Sequence, residues 1–311
     1  MAVFVAADFS ERGWARWWPL LEAALPGETL LRHRDAVAAD AIDIALVANP
    51  APGSLAGLPA LRLIQSLWAG VDRLLADATV PAHVPLARMV DPDMGEAMAQ
   101  TALWAVLGVH RGFLRCAAQQ RAALWKPPVF RRTDEISVAV LGLGELGRGA
   151  AQRLAQHGYR VLGWSRRLAD VAGVETHTGP AALREVLGRA QIAVNLLPLT
   201  PATHGLFDAT TFALMPAGAS FVNLARGAHV VEADLLAALD AGHLQHAVLD
   251  VFDTEPLPPD HPFWPHPQIT VLPHIAAPTD PRSAVAIAAR NVRALREGRP
   301  LSGVVDRGRG Y

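Results

Sequence analysis

The stretch Ile136–Gly158, ISVAVLGLGELGRGAAQRLAQHG, decides how the chain is read. Six largely apolar residues run straight into Gly142, Gly144 and Gly147, and from Arg148 to Gln156 apolar residues recur at helical spacing. The pattern predicts strand, glycine turn, helix. In such a turn Gly142 permits the tight bend, Gly144 lets backbone approach a pyrophosphate, and Gly147 lets the helix pack closely on the sheet. Glu145 and Leu146 stand between the glycines at the helix start, whose unpaired N–H groups and dipole suit the phosphates of a dinucleotide. The competing reading is a plain strand-to-helix turn.

Outward from this stretch the chain alternates regularly. Further apolar runs fall at Arg160–Trp164, Ile192–Leu197, Ser220–Leu224, Ala247–Val251 and Ile269–Leu272, and with Ile136–Leu141 they predict six strands of a doubly wound parallel sheet. Upstream, Ala2–Ala7, Ile42–Ala48 and Leu61–Leu67 read as strands and Trp14–Leu25 as a helix. Glu96–Trp125 is apolar, Ala-rich and free of proline, so it reads as one long helix that ends before Pro127 and Pro128. Its apolar surface exceeds what one small domain can cover, which predicts packing between domains or on a second subunit. A helical pattern returns at Pro278–Gly298. A chain that begins as one α/β unit, continues as a complete coenzyme domain and closes on a helix is expected to fold that helix back onto the first unit.

With 311 residues, 51% hydrophobic and 18% charged, the chain is expected to be globular with two domains. A net charge of -1 supplies no general field for nucleic acid or a membrane surface, so an anionic substrate needs local Arg or His. The single Cys116 excludes an internal disulfide and is expected to be a buried thiol. No signal-like N-terminus or membrane-length apolar run is present, which predicts a cytoplasmic protein. No metal-ligand spacing links the histidines, and no metal is expected.

Three strand ends carry the chemistry: NLARG at 223–227, DVFDTEP at 250–256 and LPHIA at 272–276. Strand ends on one edge of a parallel sheet converge, so Arg226, Glu255 and His274 can meet over a cofactor. Arg226 can grip a carboxylate or polarise a carbonyl. His274 can exchange a proton near neutral pH, with Glu255 bonded to its other ring nitrogen. Trp68-Ala69-Gly70, past the third strand, can present backbone N–H groups to a carboxylate. Each has a plainer reading, as a surface charge, a loop carboxylate, a structural histidine or an ordinary turn.

Taken together, VLGLGELG, LLPLTPATHGL, NLARGAHVVEADLLAAL, LDVFDTEPLPPDHPFW and LPHIAA resemble the D-isomer-specific 2-hydroxyacid dehydrogenases over nearly the whole chain. QSLWAGVD, MGEAMAQTAL and the closing VDRGRGY are most similar to the glyoxylate/hydroxypyruvate reductase A branch. The resemblance implies a substrate-binding Arg226, a histidine-orienting Glu255, a proton-donating His274 that also lies against the cofactor, and an Asp250 that holds the nicotinamide carboxamide. It implies that the Ala69 and Gly70 amides take the substrate carboxylate, and that Leu197, Pro198, Leu224, Ala225 and Ala276 line the cofactor. Trp68 departs from the small residue frequent in the family, and is expected to restrict the substrate to two or three carbons. Ala48-Asn49 also departs from the aromatic residue and histidine found in this branch.

The fold class expected is α/β: two Rossmann-like doubly wound domains, an NAD(P)-binding domain (100–276) inserted into a discontinuous, flavodoxin-like substrate domain (1–99 and 277–311). The implied function is NADPH-dependent reduction of small 2-oxo acids, glyoxylate to glycolate and hydroxypyruvate to D-glycerate, by a homodimer. The alternatives are a relative acting on a bulkier 2-oxo or 2-hydroxy acid, and a dinucleotide-sensing, corepressor-like binding protein. The cofactor preference is read from Ser165-Arg166-Arg167. An NAD site usually places a carboxylate roughly 20 residues past the glycines, where it bonds the ribose hydroxyls and repels a 2′-phosphate. Here two arginines and a hydroxyl stand instead, which suits NADPH over NADH.

Overall fold

The computed structural model describes residues 1–310; Tyr311, the last residue of the VDRGRGY stretch, lies outside them. The chain forms two compact units, Met1–Asp93 with the described residues from Thr279 on, and Met94–Pro278.

The first unit opens with β1 (Ala2–Ala7), α1 (Glu11–Ala24), β2 (Thr29–Leu31), β3 (Ile42–Ala48), β4 (Leu63–Ser66), α2 (Asp72–Ala76) and β5 (Leu86–Ala87). Its parallel strands lie in the order β2-β1-β3-β4-β5, the flavodoxin-like arrangement. Strands of such a sheet are covered on both faces and therefore read as unbroken apolar runs. In β3, Ile42, Ala45 and Val47 join one core and Ile44, Leu46 and Ala48 the other. The short β2 and β5 give no such run, and sequence reading missed both.

In the second unit come α3 (Pro92–His110, starting two residues before the boundary), α4 (Phe113–Arg121), β6 (Ser137–Leu141), α5 (Glu145–Gln156), β7 (Arg160–Trp164), β8 (Val174–His177) and α6 (Pro180–Arg189). They are followed by β9 (Ile192–Asn195), α7 (Ala209–Leu214), β10 (Ala219–Asn223), α8 (Glu232–Asp240), β11 (Leu244–Leu249) and β12 (Ile269–Val271). The sheet has seven strands rather than six, in the order β12-β11-β10-β9-β6-β7-β8. The unanticipated strand is β8, VETH, an edge strand whose mixed polarity hides it. The order reverses between β6 and β9, and a doubly wound sheet binds its ligand at such a switch point.

The long helix expected over 96–125 is two helices. Gly112 adopts φ +70 and caps α3, and its carbonyl accepts from the Cys116 N–H at 2.9 Å as α4 begins. A Cβ on Gly108 would lie 3.1 Å from Leu114 Cγ, so α4 folds back on the last turn of α3. Cys116 is only partly buried, because α4 buries no residue fully and the thiol lies on its half-covered side.

Finally α9 (Pro281–Arg296) packs on the first unit's own sheet. Asp280 caps it, accepting from Arg282 N–H at 2.9 Å with Pro281 in the first turn. Asn291 donates to buried Gln65 of β4 at 2.6 Å, and Arg296 pairs with the fully buried Asp43 carboxylate of β3 and with Glu28. Among the described residues, no helix is long and apolar enough to cross a membrane.

Candidate active site

The glycine turn joins β6 to α5 beside the switch point. Gly142 sits at φ +100, where an added Cβ would come within 2.5 Å of the Leu196 carbonyl oxygen. At Gly147 a Cβ would fall 1.7 Å from the Gly142 oxygen, so helix and turn meet there without a side chain. Nothing lies within 4 Å of a Cβ built on Gly144, and no side chain caps the first turn of α5 at Glu145 and Leu146. The turn therefore combines close packing with an open face and available helix-end amides, the features a pyrophosphate needs. Facing the turn, the segment after β9 carries buried Leu197 and half-buried Pro198.

At the end of β7, Ser165 donates through its hydroxyl to the Arg167 carbonyl at 2.5 Å. Thr178, just past β8, donates to the Arg166 carbonyl at 2.8 Å. Both arginine side chains are exposed, and the turn contains no carboxylate. It can hold a phosphate.

The catalytic candidates converge within this second unit. His274 Nδ1 and Glu255 Oε2 are 2.8 Å apart, while Glu255 Oε1 accepts the Phe252 N–H at 3.0 Å. The bond to Glu255 raises the His274 pKa above its ordinary value, and the Glu255 charge adds to this against burial and the positive charge of Arg226. For Glu255, burial acts to raise the pKa, but the His274 and Phe252 hydrogen bonds and the charges of His274 and Arg226 outweigh it and hold the carboxyl below its usual range. The pair is thus biased to a charged imidazolium beside a carboxylate.

Arg226 follows β10, its carbonyl accepting from Asn223 Nδ2 at 2.9 Å and its Nη1 donating to the Ala225 carbonyl at 2.6 Å. Buried Leu224 and Ala225 precede it. Next comes Gly227, where a Cβ would lie 1.8 Å from the Phe252 carbonyl carbon and 2.2 Å from the Asp253 nitrogen. That contact brings the Arg226 segment against the segment that carries Glu255. Sequence reading passed over Gly227, although its place immediately after Arg226 is the available signal.

Asp250 is buried and fastens the His274 loop. Its carboxylate accepts from Ile275 N–H at 2.7 Å and Ala276 N–H at 2.9 Å, and its carbonyl accepts from His274 N–H at 2.9 Å. Burial raises the Asp250 pKa, opposed by those two amide bonds and by the His274 charge. His274 itself is held at φ +55, a left-handed conformation uncommon for a non-glycine residue.

Trp68, Ala69 and Gly70 belong to the first unit, past the end of β4. The Trp68 backbone is pinned by Ser66 Oγ, which accepts its N–H and donates to its carbonyl, both at 3.0 Å. Its indole meets Trp17 edge-on at 5.6 Å and Phe9 at 6.2 Å, so the ring packs into its own unit's aromatic cluster. Ala69 and Gly70 are partly exposed.

Residues 103–276 match the model of the D-isomer specific 2-hydroxyacid dehydrogenase, NAD binding domain. The chain belongs to the D-isomer specific 2-hydroxyacid dehydrogenase family. Among 2-hydroxyacid dehydrogenase relatives, glyoxylate/hydroxypyruvate reductase A of Salmonella heidelberg is 41% identical over 304 residues, 96% of each chain. A family enzyme from Xanthobacter autotrophicus Py2, solved with NADPH and MES, is 40% identical with a TM-score of 0.93, over 100% of this chain and 99% of that one. The NADPH-dependent glyoxylate/hydroxypyruvate reductase of Sinorhizobium meliloti, solved with NADP and sulfate, is 35% identical with a TM-score of 0.91 over the same shares. Membership makes this chain an oxidoreductase of the 2-hydroxyacid dehydrogenase type, with a dinucleotide as its cofactor.

Proposed function

We propose that the chain is an NADPH-dependent reductase of small 2-oxo acids, forming glycolate from glyoxylate and D-glycerate from hydroxypyruvate. The observation that carries the reading is the meeting of Arg226, Glu255 and His274 in the unit that also holds the glycine turn. The names of the Salmonella and Sinorhizobium relatives support the substrates, and the NADPH and NADP in the two solved relatives support the cofactor. Two exposed arginines in a turn without a carboxylate fit a 2′-phosphate.

Bound at the glycine turn, NADPH supplies the hydride that adds to C2 of the acid. Every other task falls to the chain's own groups. Gly142, Gly144, Glu145, Leu146 and Gly147 offer backbone to the pyrophosphate, and Arg166 and Arg167 hold the 2′-phosphate, joined by Ser165 when its hydroxyl turns from the Arg167 carbonyl. Leu197, Pro198, Leu224, Ala225 and Ala276 give the nicotinamide apolar walls. Each Asp250 oxygen already accepts one N–H but has a second lone pair for the carboxamide. Arg226 grips the substrate carboxylate and polarises its carbonyl. His274, its Nδ1 tied to Glu255, gives the Nε2 proton to the forming alkoxide. Trp68 contributes through its backbone, since its ring is engaged by Phe9 and Trp17.

The proposed active species is a homodimer. Trp104, Phe113, Leu124, Trp125, Val129 and Phe130 are all exposed within one stretch of the second unit, which offers a second copy apolar side chains to cover. The functional test is oxidation of NADPH on adding glyoxylate or hydroxypyruvate, with matching formation of glycolate or D-glycerate. Faster turnover of phenylpyruvate than of either would move the substrate to bulkier acids. Tight NADPH binding without turnover of any 2-oxo acid would favour the sensing role.

A further inference from the structure

We infer that His229 is a positioning residue, which through Asn195 and Asn223 sets the backbone on which Arg226 and the Leu197-Pro198 segment stand. The inference rests on the proposed role of Arg226. His229 is fully buried, as are Asn195 and Asn223.

The directions of the bonds follow from the backbone. Leu197 N–H points at Asn195 Oδ1 at 3.2 Å, and Ala225 N–H points at Asn223 Oδ1 at 3.2 Å, so both side-chain oxygens are acceptors. Asn195 Nδ2 then faces two acceptors, Asn223 Oδ1 at 3.0 Å and His229 Nδ1 at 3.0 Å, which uses both its hydrogens. His229 Nδ1 must therefore be unprotonated, and the ring proton sits on Nε2, which donates to the Pro198 carbonyl at 3.3 Å. The chain of bonds runs on from Asn223 Nδ2 to the Arg226 carbonyl at 2.9 Å. Two loops are thus fixed from one buried ring. A reversed tautomer would set an N–H against the Asn195 amide hydrogens and loosen the Asn195–Asn223 pair from the ring.

Two substitutions separate the ring nitrogens. In His229→Asn the side-chain oxygen can take the place of Nδ1, whereas His229→Gln keeps a donor near Nε2 and loses the acceptor. The readouts are the KM for glyoxylate, and the affinity of the NADP-loaded protein for oxalate as a carboxylate probe, which needs no turnover. His229→Gln should weaken both at least about fivefold, and His229→Asn less than about twofold, with the pH dependence set by His274 unchanged in each. Ring-nitrogen NMR of the wild type should show an unprotonated Nδ1. Equal effects of the two substitutions, a lower melting temperature with unchanged KM and oxalate affinity, or a protonated Nδ1 would each overturn the inference. Wild-type protein inert towards glyoxylate but with oxalate affinity following the Gln-versus-Asn pattern would overturn the proposed substrate and leave this inference standing.

Discussion

The proposed proton donor, His274, is tuned chiefly by Glu255. His274 has a raised pKa first because of its bond to Glu255, so its donor form persists above pH 6.5, the ordinary histidine value. Reduction should therefore be fast at low pH and slow as pH rises through the His274 pKa. Glu255→Gln should shift that fall to lower pH, a change that pH profiles of kcat under rate-limiting chemistry would register. An unmoved profile would detach Glu255 from the histidine's charge. The same linkage acts on folding: the contribution of His274 is complete below its unfolded pKa and is lost as pH rises through the higher folded one, whereas that of Glu255, whose pKa is lowered, is lost as pH falls through its folded value. At the cofactor end, Arg166→Ala with Arg167→Ala should raise the KM for NADPH at least about tenfold, as expected for two lost charge-assisted contacts, and leave that for NADH nearly constant. Equal changes for the two cofactors would make the pair a surface turn. The positions of Arg226 and His274 were legible because each follows an apolar strand. His229 was not: it is 34 residues from Asn195, and parallel strands bring them together only in three dimensions.

Elements place these side chains, and their tightest contacts are the easiest to break. Gly227→Ala would drive a Cβ into the Phe252–Asp253 peptide, since the nearest atom lies at 1.8 Å. Turnover should collapse, with a loss of several kcal/mol of stability unless the loops part, as for severe overpacking; native melting temperature and turnover would contradict that packing. Along β11, His246 is buried, bonded through Nε2 to Thr270 Oγ1 of β12 at 2.9 Å, and burial, with the His266 charge, pushes its pKa down to about 4. A depressed histidine stays neutral in the folded state while the unfolded chain takes up a proton. Stability of the second unit should thus fall as pH drops from about 6.5 towards 4, by on the order of 3 kcal/mol. Urea unfolding at both ends of that window should show the loss, and His246→Gln should remove most of it. Strands buried on both faces were legible as apolar runs, but β8 was not, because an edge strand needs no such run. The α3–α4 break was missed for the opposite reason: apolar residues continue through it, and only Gly112 marks the cap.

For the whole molecule, the exposed apolar residues between Trp104 and Phe130 predict self-association. Sedimentation equilibrium at micromolar concentration should give a dimer, and replacing Trp125 and Phe130 by Asp should yield monomers; a monomeric wild type would refute the arrangement. The alternation of strands and helices, the terminal helix and the glycine turn follow from patterns spread along the sequence, whereas the buried polar network and the aromatic seat of Trp68 depend on tertiary packing that no local pattern encodes. The central claim is hydride transfer from NADPH to C2 of a small 2-oxo acid, and isotope transfer tests it most directly. With NADPH carrying deuterium at the transferable C4 position and glyoxylate in ordinary water, the glycolate formed should bear deuterium at C2, one atom per NADPH oxidised. Glycolate without deuterium at C2, or no glycolate at all, would contradict it.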